Sequence, residues 1–208
     1  MSLPSIETLD RLAVNVLVGI DHFLLDQNIV ESILETYTQF CRGDEARRLD
    51  ISEKPITAEM RLRLRFECLC FCTFFASLQS SKYLTEKKWF GKRPNQRLIG
   101  LFDGALATAL MELCSNTGMK KLREITLVSI DPKPTFALGD HLDPLNRLEE
   151  YRAAFVKERA SEFERFGKWI GKALDAPNYP LFEIIGGNFG RPLLQLSDYA
   201  MASVLMRA

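Results

Sequence analysis

The basic and aromatic segment at residues 87–97 is the part of this chain best suited to bind another molecule. It holds five Lys or Arg residues together with the aromatic pair Trp89 and Phe90. Single-stranded nucleic acid is bound by this combination, because its bases stack on aromatic rings while cations hold its phosphates. The alternative, which the sequence favours, is that the two rings pack at the edge of the core and the cations face water. The candidate anion-binding residues here are Lys88, Trp89 and Arg93.

The glycine-rich segment 186–190 is a second candidate for anion binding. A short strand is expected over residues 182–185, and Pro192 suits the first position of a helix. A loop between them would offer an anion free backbone N–H groups and the positive end of a helix dipole. Arg191 would add a bidentate contact. A structural turn is the alternative. The candidates in this segment are Gly187, Gly190 and Arg191.

Residues 194–200, Leu-Gln-Leu-Ser-Asp-Tyr-Ala, could carry a third kind of chemistry. They resemble the LQ-x-AD-type helix that closes a family of RNase H-like nucleases. The resemblance implies that Asp198 holds a divalent metal together with Asp residues at strand ends, such as Asp131. It covers about a dozen of the 208 residues. Ser197 replaces the usual Ala, and the family's opening strand with its Asp-Glu-Ser-Gly motif is absent, so a two-metal site lacks its third carboxylate.

Neither the histidines nor the cysteines form a metal-binding pattern. A carboxylate-bridged di-iron bundle needs paired Glu-x-x-His motifs, and neither His22 nor His141 has Glu three residues before it. The three alternating cysteines between 68 and 72 lack the second pair that a zinc site requires. We expect these cysteines to be ordinary core residues. We therefore expect no bound metal and no cofactor.

Cysteine usage and hydropathy indicate where the protein resides. The chain has five cysteines, an odd number, and its first apolar run follows acidic rather than basic residues. Both features favour reduced thiols and the absence of an export signal. The longest apolar stretches, residues 12–20 and 68–76, are far shorter than the ~20 residues that cross a bilayer. We predict a cytoplasmic protein without a membrane segment.

Charge is balanced over the whole chain but unevenly distributed along it. Lys and Arg number 27 and Asp and Glu also number 27, which argues against a protein that coats DNA. Residues 1–56 have 5 bases and 10 acids, whereas residues 57–124 have 12 bases and 6 acids. Either the acidic N-terminal part packs near the basic middle, or these faces meet between two copies. The second account predicts a homodimer.

Apolar periodicity divides the chain into helices. Steps of three and four predict a helical hairpin over about residues 5–42 and a long helix over about 143–175. A helical core is expected over about 57–118, although residues 60–76 begin with strict alternation and also suit a strand. Pro192 opens a C-terminal helix over about 191–207. Residues 124–130, with 182–185, are the strand candidates.

These elements predict a mainly α fold, a single domain of about six helices over residues 1–208 with a small two-stranded β element. An α+β fold is the alternative if residues 60–76 form a strand. The leading functional hypothesis is a non-enzymatic protein-interaction or small-ligand-binding domain. The alternative is a metal-dependent phosphodiesterase or nuclease that acts on nucleic acid or a phosphorylated substrate, with Asp131 and Asp198 as catalytic residues.

Overall fold

The computed structural model describes residues 6–88, 91–114, 143–157, 161–176 and 179–205. These ranges are mainly helical, which confirms the predicted fold class. The elements follow one another as α1 (Ile6–Asp26), α2 (Ile29–Arg42), α3 (Asp44–Arg48), α4 (Ala58–Tyr83), β1 (Thr85–Lys88), β2 (Gly91–Pro94), α5 (Gln96–Cys114), α6 (Pro144–Lys157), α7 (Ser161–Ala173) and α8 (Tyr179–Leu205).

Helix α4 lies at the centre and settles the ambiguity over residues 60–76 in favour of a helix. Its N-cap is Thr57, whose hydroxyl accepts a hydrogen bond from the Met60 amide at 3.1 Å. Helices α1, α5, α6, α7 and α8 all pack against it. A helix that is covered on nearly every side is apolar all round. The central stretch therefore shows no amphipathic stripe, which is why its sequence also suits a buried strand.

The N-terminal helical hairpin is confirmed, and it brings acidic residues against basic ones. Helices α1 and α2 are joined through Asn28, which adopts the left-handed conformation with φ 48°. Arg65 of α4 pairs with Asp21 of α1, its Nε lying 2.8 Å from Oδ1. Arg61 Nε lies 2.8 Å from a carboxylate oxygen of Glu31 on α2. The acidic N-terminal part thus packs on the basic middle within one chain, as the first of the two charge interpretations predicts.

The β element of the described structure lies elsewhere than predicted. Strands β1 and β2 form an antiparallel hairpin that pairs Thr85 with Pro94 and Lys88 with Gly91. Residues 182–185, expected as a strand, are helical. The stronger strand candidate, residues 124–130, lies outside the described residues, as do Asp131 and His141.

The C-terminal half contains two further corrections. The predicted long helix over 143–175 is described as two helices, α6 and α7, with residues 158–160 outside the description. Helix α8 begins at Tyr179 rather than near 191, so Pro192 lies inside it. Proline inside a helix removes one backbone hydrogen bond. Its ring is exposed to solvent, and the helix continues past it to Leu205.

Helices α7 and α8 run antiparallel and approach each other closely at glycines. A Cβ atom on Gly167 would overlap the backbone of Phe182, and a Cβ atom on Gly186 would overlap the backbone of Phe163. A Cβ atom on Gly190 would overlap the ring of Phe163. The absence of side chains at these glycines therefore allows the two backbones to come into contact.

No helix in the described ranges combines the length and the apolar character needed to cross a bilayer.

Candidate functional site

The glycine-rich segment is not a loop, so the prediction of an anion-binding loop there is wrong. Residues 186–190 lie within α8, where backbone N–H groups are used by the helix itself and do not point at a ligand. Gly190 is buried against Phe163, whereas Gly187 is exposed with nothing near its Cβ position. Arg191 is exposed. Glycine is favoured both in a tight turn and where two helices pack closely, so the sequence alone could not distinguish a loop from a helix here.

Asp198 lies on α8 and joins that helix to the end of α4. Its Oδ1 accepts a hydrogen bond from the Tyr83 hydroxyl at 2.9 Å and lies 3.2 Å from Lys82 Nζ. Burial, followed by the hydrogen bond and charge of Asp198, raises the pKa of Tyr83 to about 12. Within the described ranges, no group of three or more His, Cys, Asp or Glu side chains could hold a metal. The predicted partner, Asp131, lies outside them.

The five cysteines are all buried with free thiols. Cys68, Cys70 and Cys72 are fully enclosed within α4. Burial raises the pKa of each of these thiols, that of Cys72 to about 12. A thiol is reactive or metal-binding in its thiolate form. The alternating cysteines therefore act as small apolar core residues, in agreement with the sequence interpretation.

Strands β1 and β2 and the residues just after them carry a cluster of exposed cations. We call residues 85–94 the basic hairpin. Lys92 and Arg93 of β2 and Arg97 in the first turn of α5 are exposed. Among the side chains that the structure describes, no carboxylate forms an ion pair with any of these three. The pairing register places Lys87 opposite Lys92 and Glu86 opposite Arg93; the side chains of Glu86 and Lys87 are not among those described. Trp89 lies outside the described residues, and Lys88 is the last residue of β1.

About half of the arginines elsewhere in the described structure are neutralised by neighbours. Six of them form ion pairs with carboxylates, as Arg42–Glu53, Arg47–Asp44, Arg61–Glu31, Arg63–Glu59, Arg65–Asp21 and Arg147–Glu67. Within the described part of residues 57–124, the bases of α4 form ion pairs, whereas Lys92, Arg93 and Arg97 form none that the structure describes. The hairpin is therefore the unpaired positive surface of that described part.

The base of the basic hairpin is fixed to the helical body. Leu84 and Asn95, which flank the hairpin, are buried. The Asn95 amide donates to the Leu84 carbonyl at 2.9 Å. The Asn95 side chain accepts a hydrogen bond from the Leu98 amide at 3.1 Å and so caps α5. The cations thus stand on an element that is anchored at both ends.

A groove of about 370 Å³ lies beside the basic hairpin, between the second half of α4, the start of α5 and the end of α6. Its apolar lining includes Leu78, Phe155 and Val156, whose side chains are 37%, 46% and 83% exposed. Its charged lining consists of Asp103 from α5 and Arg152 from α6. The volume falls within the range of small-molecule sites.

Asp103 is the half-buried carboxylate of this groove. Its Oδ1 accepts a hydrogen bond from the Ser77 hydroxyl at 2.9 Å. Burial raises the pKa of Asp103, while the Ser77 hydrogen bond and the Arg152 charge act in the opposite direction. No ion pair joins Asp103 to Arg152 among the described contacts, although both line the same groove. A ligand between them would find an acceptor on one side and a donor on the other.

A second charged cluster is buried between α4, α6 and α7. Glu67 Oε2 lies 3.0 Å from Arg147 Nε, and both side chains are at most 10% exposed. The Arg147 guanidinium also lies 3.2 Å from the centre of the Trp169 ring. Burial raises the pKa of Glu67 to about 7 against the opposing effect of Arg147. This cluster joins helices in the interior, and we assign it a structural role.

No protein-family model matches the chain, and neither a curated protein nor a solved structure shows significant similarity to it.

The sequence indicates the basic residues of the hairpin but not the groove beside it. Asp103, Arg152 and Phe155 lie on two helices whose separate patterns indicate only amphipathic packing. Leu78 and Val156, which meet in the groove, are 78 positions apart in the chain. No local spacing could have indicated this arrangement. Phe155, on the long helix predicted over about 143–175, is 46% exposed.

Proposed function

We propose that the protein is a binding domain for single-stranded nucleic acid and that the basic hairpin is its contact surface. The observation that carries this proposal is the exposure of Lys92, Arg93 and Arg97 without a described carboxylate partner. Cations of this kind bind phosphates and release condensed counterions. The overall neutrality of the chain is compatible with a local surface of this type.

The aromatic residues favour nucleic acid over an acidic protein segment. Trp89 and Phe90 stand between β1 and β2 in the sequence, and bases of an unpaired strand stack on aromatic rings. An acidic peptide would use the cations alone. Single strands are favoured over duplexes because the bases must be unstacked to reach the rings.

Fluorescence anisotropy with a labelled single strand of roughly 15 nucleotides tests the proposal. The double variant Lys92→Glu/Arg93→Glu should weaken binding by about tenfold or more. The matched control is Arg47→Glu/Arg48→Glu, which makes the same charge change on α3, a helix that packs on α2. Binding that is absent, or that both variants weaken equally, would refute the proposal. Competition by poly-glutamate but not by the oligonucleotide would point to an acidic protein partner.

Two predictions from the sequence stay open beside this proposal. A cytoplasmic location is inferred from cysteine usage, and fractionation would check it. The prediction of a homodimer is less well supported than before. Asp21 pairs with Arg65, and Glu31 with Arg61, within one chain rather than between two copies. Light scattering of the purified protein would measure its oligomeric state.

Metal-dependent nuclease activity remains the alternative hypothesis. It requires Asp198 as a metal ligand, and this carboxylate is engaged by Tyr83 and Lys82 in the described structure. Cleavage of the oligonucleotide with Mg²⁺ or Mn²⁺ in the anisotropy assay, lost in Asp198→Asn, would favour this alternative.

A further inference from the structure

The groove beside the basic hairpin combines an exposed aromatic ring, a carboxylate and a guanidinium in its lining. Part of its lining lies close to the hairpin in the chain, since Gln96 is two residues after the end of β2 and Ser81 is four residues before the start of β1. This proximity allows a strand held by the basic hairpin to reach the groove. Its volume of about 370 Å³ is more than one base needs.

Phe155 supplies a stacking surface in the groove. Its ring meets Phe74 edge-on, with the ring centres 6.0 Å apart, and so is held by a buried neighbour. Nearly half of Phe155 nevertheless remains exposed, at 46%. Leu78 and Val156 extend the apolar wall. Base–aromatic stacking is the usual way in which unpaired bases are held.

Asp103 and Arg152 supply the hydrogen-bonding groups. An ionised carboxylate only accepts and a guanidinium only donates. Asp103 keeps acceptor capacity beyond the single hydrogen bond from Ser77, because a carboxylate offers about four lone-pair sites. Arg152 is exposed and faces the same groove without pairing to Asp103 among the described contacts.

We propose that this groove binds one guanine base of the single strand that the basic hairpin holds, with Phe155 stacking on the ring, Asp103 accepting and Arg152 donating. The inference rests on the proposed function. Guanine fits because its N1–H and amino group are two adjacent donors for one carboxylate, and its O6 and N7 accept from arginine. Adenine, cytosine and uracil each present a single donor group on that edge, so a carboxylate binds them less well.

Oligothymidine strands of equal length that carry one central dG, dA or dC test the inference by anisotropy. The unchanged protein should bind the dG strand about tenfold more tightly than the others, the range of one good base contact. Asp103→Asn should remove this preference. Asp10→Asn makes the same change at an exposed carboxylate on α1 and should keep the preference.

Arg152→Gln provides a second variant, since this side chain is exposed and its replacement should leave the fold intact. It should also reduce the preference for dG. Equal binding of all strands by the unchanged protein, or a dG preference that survives in Asp103→Asn and Arg152→Gln, would overturn the guanine site. If oligothymidine binds and Lys92→Glu/Arg93→Glu weakens it, the proposed function stands even though the guanine site fails. If no strand binds, both fail.

Discussion

At the scale of single residues, Glu67 and Arg147 form the most deeply buried ion pair of the described structure. Their side chains are 3% and 10% exposed, and they pair at 3.0 Å. Two buried charges stabilise each other only while both are present, because either one alone is left without water or a partner. The ion pair of Arg65 with Asp21 is more exposed, at 14% for each side chain, and those of Arg61 and Arg63 are more exposed still.

Removal of Arg147 should destabilise the protein strongly. Arg147→Ala leaves the buried Glu67 without its partner and removes the cation from the Trp169 ring. We expect a loss of about 3–5 kcal/mol in the free energy of unfolding, measured by urea denaturation. Arg61→Ala is the matched control, since its pair with Glu31 is about half exposed, and it should cost less than about 1 kcal/mol. Similar losses for both variants would contradict the assignment.

Glu67 should also make stability depend on pH. Its pKa in the folded chain is about 7 against an ordinary value of 4.5, so the folded state binds a proton that the unfolded state releases between these values. The contribution of Glu67 to stability is therefore fully present below about pH 4.5 and is lost as the pH rises to about 7. Arg147, Glu150 and Lys172 are the charged groups that act on it from α6 and α7.

The variant Glu67→Gln isolates this effect. The difference in unfolding free energy between the unchanged protein and Glu67→Gln should decline as pH rises from about 4.5 to about 7, because only the unchanged protein loses its proton there. Urea denaturation at a series of pH values measures the difference. A difference that is constant with pH, or that grows as pH rises, would show that the carboxylate is not shifted in this direction.

At the scale of elements, the contact of α7 with α8 depends on glycine. Gly186→Ala places a methyl group against the backbone of Phe163, so the two helices must separate. Overpacking of this kind costs about 1–3 kcal/mol. Gly187→Ala is the ideal control, because nothing lies near its Cβ position and the residue is exposed within the same helix. It should gain about 0.5–1 kcal/mol from helix propensity.

Thermal unfolding of the two variants compares them directly. A lower midpoint for Gly186→Ala and an unchanged or higher midpoint for Gly187→Ala support a continuous helix over this segment. If Gly187→Ala is the more damaging change, the segment is a turn that requires glycine there, as the sequence suggested.

The sequence could predict those helices whose residue pattern follows from a single cause, the burial of one face. Helices α1 and α2 have an apolar face and a polar face, so their periodicity located them well. The predicted start of the C-terminal helix, near residue 191, lies too late in the chain, because Gly186, Gly187 and Pro192 disfavour helices by intrinsic propensity. Here packing against α7 overrides propensity. The strands of the basic hairpin could not be predicted, since these Lys-rich residues lack the alternation and the β-branched residues that indicate strands.

The candidate sites show the same division. Arg93 and Lys92 could be identified as candidate binding residues because their positive charge is visible in the sequence. The groove could not, because Asp103 and Arg152 come together only when α5 and α6 pack on α4. The pairing of Asp198 with Tyr83 was equally invisible, as their hydrogen bond joins residues 115 positions apart.

At the scale of the whole molecule, the proposed function depends on how charge is distributed. The net charge is zero, yet the acidic α1 and α2 neutralise the arginines at the start of α4. The cations of the basic hairpin lie at the other end of α4, and Lys92 and Arg93 form no ion pair among the described side chains. A neutral protein thus has a local positive surface, which can attract a polyanion without the non-specific binding of a basic protein.

The salt dependence of oligonucleotide binding tests this account most directly. The logarithm of the association constant should fall linearly with the logarithm of salt concentration, with a slope near −0.7 for each phosphate contact on a single strand. Lys92→Glu/Arg93→Glu should make this slope shallower by about one to two, whereas Arg47→Glu/Arg48→Glu should leave it unchanged. An affinity that does not respond to salt, or a slope that the hairpin variant does not alter, would contradict the claim that these cations hold phosphate.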